Sequence, residues 1–83
     1  MVIGMETSQI KKYEMLGLNV SYYRRMRKLT QEQLAEMVGV DRTHISNVEI
    51  ARTGASLDVI FQIADALGVP ANKLFEFRDW QLR

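Results

Sequence analysis

Eighty-three residues, 47% of them apolar and with a formal net charge of +1, suffice for one small domain whose core is marginal on its own. The absence of cysteine excludes disulfides and thiolate metal sites and fits a reducing cytosol. No run is long and apolar enough to span a membrane, and the start, MVIGMETSQIKK, lacks the basic region and long apolar stretch of a signal peptide.

Residues 1–9 read as a flexible N-terminal arm. A first helix is predicted from about Ile10 to Arg27, with Leu16, Val20 and Tyr23 inward. Gly17 inside it costs helix propensity and points to the close approach of another element. Arg24, Arg25, Arg27 and Lys28 close this helix. They read equally as phosphate contacts and as cations favoured at a helix C-terminus by its dipole.

The next segment, LTQEQLAEMVGVDRTHISNVE from Leu29 to Glu49, carries the most information. Thr30 and Gln33 form a capping box, in which the hydroxyl takes the backbone N–H three residues on and the glutamine reaches back. Leu34, Ala35 and Val38 follow on one helical face, and Gly39 stands where the helix must stop. Asp41 restarts the chain as an N-cap. So short a turn forces the two helices to cross steeply, with small Ala35 at the crossing. On the second helix Arg42, Thr43, Ser46 and Asn47 share an arc about 140° wide, opposite Ile45 and Val48, with His44 at its border. A surface helix shaped for solubility alone usually carries Glu, Lys and Gln. These short hydrogen-bonding groups and one arginine suit DNA: Arg pairs with guanine, Asn with adenine, and a Thr methyl touches thymine. Two short helices with a tight turn are one way to present a helix to the major groove. The plainer alternative is a solvated polar face.

Beyond the loop Ile50 to Ala55, a fourth helix follows Ser56 as N-cap and runs to about Leu67. Leu57, Ile60, Phe61, Ile63, Ala64 and Leu67 give it an apolar face wider than one small core requires. Gly68 stops it, and Pro70 opens a short fifth helix through about Phe75. No strand signal of any length is present. Residues 78–83 form a C-terminal tail. Phe75, Phe77, Trp80 and Leu82 crowd the last nine residues. A monomer rarely leaves such residues together in water, so they are expected to form a symmetric dimer interface. The alternative is a tail with Trp80 folded back onto its own domain.

These pieces together resemble the XRE family, the Cro/repressor-type helix-turn-helix domains of phage repressors and restriction-modification controller proteins. The resemblance rests on LGLNVSYYRRMRKLTQEQLAEMVGVDRTHISNVE and SLDVIFQIADALGVPANKLFEF, from Leu16 to about Phe77. It implies an all-α, compact five-helix lambda-repressor-like DNA-binding domain over residues 10–77. Carried over by position, Arg42, Thr43 and Asn47 match base-reading residues, with His44 beside them. Gln31 matches a phosphate contact at the positive end of its helix, and Lys28, Ser46, Arg52 and Thr53 are further candidates for phosphate. Arg24 and Glu49 match a structural ion pair. The chain departs from the pattern at Ile50-Ala51, where the family usually has Arg-Gly, and at Ala55, where it often has proline. The loop between them is therefore expected to take an unusual path. A net charge of +1 is low for a DNA binder. Arg42 and Arg52 are nevertheless expected on the side of the Arg24–Lys28 cluster, and a local patch steers more than the total.

Enzymatic readings fail. The single histidine has no cysteine or carboxylate at catalytic spacing, and there is no P-loop or dinucleotide fingerprint. No metal, cofactor, small-molecule ligand or membrane is expected. The expected protein is cytoplasmic, a sequence-specific DNA-binding transcriptional regulator. It would be a homodimeric repressor or controller protein reading an inverted-repeat operator in double-stranded DNA through the helix that starts near Arg42. The alternative is an antitoxin-type protein-interaction module that also binds DNA. The lack of a separate toxin-masking extension favours the first.

Overall fold

A computed structural model describes residues 9–77. They form four α-helices, α1 (Ile10–Met26), α2 (Gln31–Val38), α3 (Arg42–Glu49) and α4 (Leu57–Leu67), and a closing 3₁₀ turn, Ala71–Phe75. There is no strand among the described residues. The expected fifth helix is this 3₁₀ turn. Its five residues barely exceed one helical turn, and the Lys73 N–H bonds the Pro70 carbonyl three residues back at 3.0 Å. Of the expected N-terminal arm only Gln9 falls within the described residues. The tail, with Trp80 and Leu82, lies outside them.

Local chemistry sets the helix boundaries. Thr30 and Gln33 close the capping box with bonds of 3.0 and 2.8 Å. The Ser56 hydroxyl caps α4 through the Val59 N–H. Asp41 occupies the N-cap position of α3 with extended backbone, but its side chain makes no capping bond. Its main-chain carbonyl instead accepts from the His44 N–H at 3.0 Å.

All four helices end alike. Each ends with an amide N–H reaching back five residues: Leu29 to Arg24, Val40 to Ala35, Arg52 to Asn47 and Val69 to Ala64. That ending needs one residue in the left-handed conformation. Gly39 and Gly68 supply it after α2 and α4. After α1 and α3 it falls to Lys28 (φ 58°) and Ala51 (φ 59°), where a side chain resists it. The departure from Arg-Gly thus leaves Ala51 in the backbone conformation that glycine favours.

Val20, Leu34, Ile45, Ile60, Ile63, Leu67 and Leu74 are fully buried and draw every element into one core. Leu16 is buried beside Val20, and Tyr23 packs against the cluster while partly exposed. Gly17 faces the end of α3. A β-carbon there would overlap the carbonyl oxygens of Val48 and Glu49. Of the wide apolar face of α4, Leu57 and Phe61 remain in water, 62% and 47% exposed.

Candidate nucleic-acid interface

The orientation of α3 follows from two anchors. Ile45 and Val48 are buried in the core, and their spacing sets the roll of the helix. Arg42 and Thr43 are consequently exposed, and His44, Ser46 and Asn47 half-buried, along the opposite side. Buried Ala35 lets α2 cross closely, and the Val40 N–H bonds the Ala35 carbonyl at 3.0 Å within the turn.

A polar network runs beneath this surface. Arg24 Nε donates to Glu49 Oε2 at 2.6 Å and Arg24 Nη2 to Glu49 Oε1 at 3.1 Å, a two-pronged pair that joins α1 to the end of α3. Both side chains are at most 10% exposed. Arg24 Nη1 donates to the Leu29 carbonyl at 2.8 Å, so the guanidinium is used along its whole edge. Gln31 Nε2 donates to Glu49 Oε1 at 3.0 Å. The Gln31 oxygen accepts from Arg42 Nη1 at 3.2 Å. One chain of bonds therefore runs from a buried arginine to the exposed first residue of α3. The link from Gln31 to Glu49 has no signature in the sequence. The two are far apart in the chain and meet only because α2 crosses α3.

The remaining candidates are dispersed. Lys28 is exposed just ahead of α2, and Arg52 is exposed in the loop after α3. Thr53 has its hydroxyl oxygen buried with no hydrogen-bond partner. The basic run after Tyr23 does not form one patch: Arg24 is buried, and Arg27 Nη2 bonds the Gly68 carbonyl at 3.3 Å, at the end of α4. Arg25 lines a groove with Tyr22, Met26, Lys73 and Glu76. The single positive face expected from the sequence is thus divided by the demands of folding. Phe75 is exposed, Phe77 half-buried, and their ring centroids lie 6.4 Å apart. Both line a shallow groove with Tyr13, Leu57 and Ile60.

The HTH_3 family of helix-turn-helix proteins matches residues 20–74, from the middle of α1 through the core leucine of the 3₁₀ turn. The chain belongs to this XRE-type helix-turn-helix family. It is 41% identical over 61 residues to the control protein C.SmaI of Serratia marcescens, covering 74% of this chain and 73% of that one. It is 34% identical over 59 residues to the immunity repressor protein of Bacillus phage phi105, covering 71% of this chain but 41% of that protein. Among solved structures, the restriction-modification controller protein C.AhdI from Aeromonas hydrophila superposes with a TM-score of 0.74 at 32% identity, over 76% of this chain and 96% of that one. Family membership and the outward polar face of α3 make this helix-turn-helix protein a DNA-binding transcriptional regulator.

Proposed function

We propose that this regulator acts in the cytoplasm as a homodimeric repressor or controller protein that reads an inverted repeat in double-stranded DNA. Arg42, Thr43, His44 and Asn47 reach base edges, while Lys28, Ser46 and Arg52 serve the phosphates; the Gln31 amide is committed to Glu49 and Arg42, and the Thr53 hydroxyl is buried. The observation that carries this reading is the roll of α3. Its apolar residues are locked in the core and its hydrogen-bonding residues stand on the outside in the first two turns. Dimer formation is supported by Leu57, Phe61 and Phe75, large apolar side chains left exposed on α4 and the turn after it. A two-fold pair would set the recognition helices about 34 Å apart, one turn of DNA.

Selection of bound duplexes from a random DNA pool tests the proposal. The expected result is an inverted repeat whose half-sites are one helical turn apart, with affinity falling steeply as salt rises. Recovery of no common sequence, or a flat salt response, overturns it. The antitoxin-type alternative has one observation in its favour. Leu18, Tyr22 and Met26 form an exposed apolar stripe along α1.

A further inference from the structure

We propose that Glu49, besides pairing with Arg24, is a positioning residue for base reading: it orients the Gln31 amide, and that amide holds the Arg42 guanidinium. The inference rests on the reading that Arg42 contacts a base.

Three donors converge on the two oxygens of this buried carboxylate, Nε and Nη2 of Arg24 and Nε2 of Gln31. The orientation of the Gln31 amide is then dictated by charge. Its NH₂ faces the carboxylate and its oxygen faces the guanidinium. A flipped amide would set oxygen against carboxylate and N–H against guanidinium, losing both bonds. Glu49 and Arg42 stand at opposite ends of α3, separated by about 10 Å of helix. The side chain of Gln31, at the start of α2, joins them. The last residue of the recognition helix thereby acts on the first. An arginine already held near its working direction loses less rotamer freedom when it docks.

Replacing the carboxylate by an amide, Glu49→Gln, breaks this logic without removing bulk. The introduced side chain has one acceptor and one NH₂. With the acceptor committed to Arg24, the NH₂ faces Gln31. The Gln31 amide must turn its oxygen inward, leaving its own NH₂ against Arg42. Leucine in place of Gln31 removes the relay from the other side and leaves the ion pair intact.

The test uses the full chain with duplex oligonucleotides carrying the selected operator and each of its single-base variants. Glu49→Gln, Gln31→Leu and Arg42→Ala are compared with wild type at one salt concentration, each shown to be folded by circular dichroism. Arg42→Ala should abolish preference at one base position. Glu49→Gln and Gln31→Leu should each reduce preference at that same position by about three- to tenfold, in the lower part of the range of coupling between neighbouring side chains, and leave other positions unchanged. If both instead weaken binding to every duplex by a common factor while Arg42→Ala still erases one preference, the relay does not exist and base reading by Arg42 stands. If Arg42→Ala erases no preference anywhere, the reading itself falls and the inference with it.

Discussion

A β-carbon on Gly17 would lie 2.5 Å from the carbonyl oxygen of Glu49, so α1 and the end of α3 pack backbone against backbone at that point. The neighbouring ion pair depends on this closeness. Arg24 sits two turns further along α1 and reaches Glu49 only because the two helices lie this near.

Gly17→Ala should therefore destabilise the fold, although alanine is the better helix former by about 1 kcal/mol. The obstacle is main chain on α3, which cannot swing aside as a side chain can. Overpacking of this kind costs about 1–3 kcal/mol, and more where backbone must move. In a domain of this size Tm should fall by roughly 4–20 °C. Thermal unfolding followed by circular dichroism checks it, and an unchanged or raised Tm would show that the helices can part freely.

Glu49→Ala should be more severe. It leaves the Arg24 guanidinium buried without its carboxylate, and breaking such a pair from one side costs about 3–5 kcal/mol. Glu49→Gln keeps the shape and one acceptor, so it should lose less. Urea midpoints of the two variants measure the difference. Equal, small shifts would show that the pair is solvated in solution.

Apart from the Arg24–Glu49 pair, which the family resemblance supplied across 25 residues, the features legible in the sequence are those whose partners lie within one turn of chain. Thr30 and Gln33 recognise each other across three residues, and Gly39 and Gly68 announce their own stops. Gly17 is legible as an anomaly because a glycine inside a helix needs a reason. The features that are not legible depend on distant chain. By sequence Arg27 belongs to a cluster that reads equally as phosphate contacts and as a helix-end effect, yet Gly68, 41 residues on, claims it. By sequence Gln31 is a free phosphate ligand, yet it bridges Glu49 and Arg42. Pro70 marks where the last element begins. It carries no information on whether the amides bond three or four residues back.

The left-handed residues Lys28 and Ala51 offer a separate test. This conformation costs a side-chain-bearing residue about 1–2 kcal/mol, while glycine brings an entropic cost of about 0.5–1 kcal/mol. Lys28→Gly should therefore stabilise the fold by up to about 1 kcal/mol. Ala51→Gly should gain less, because the alanine methyl is itself buried. DNA binding should separate the two further. Lys28→Gly removes an exposed cation beside α2 and should flatten the salt dependence by about one phosphate contact. Ala51→Gly removes no charge and should leave the slope alone. Guanidinium titrations and salt-dependent affinities report the two effects independently.

Assembly can be probed through Phe61, which the core does not use. Its ring is 47% exposed on α4, one turn from exposed Leu57, and Phe75 is exposed on the turn that packs beside that helix. Phe61→Glu places a charge in the proposed interface at a side chain outside the buried core, so the monomer should keep most of its Tm at low concentration. Analytical ultracentrifugation should find the wild type dimeric at high micromolar concentration and Phe61→Glu monomeric. A chain ending at Phe77 isolates the share of Trp80 and Leu82, and its dimer should be weaker than that of the intact chain. The DNA should register the same change. A monomer presents one recognition helix, so Phe61→Glu should bind the full inverted repeat little better than a single half-site. A wild type that stays monomeric, or a Phe61→Glu variant that still favours the full repeat, would place the dimer contact elsewhere.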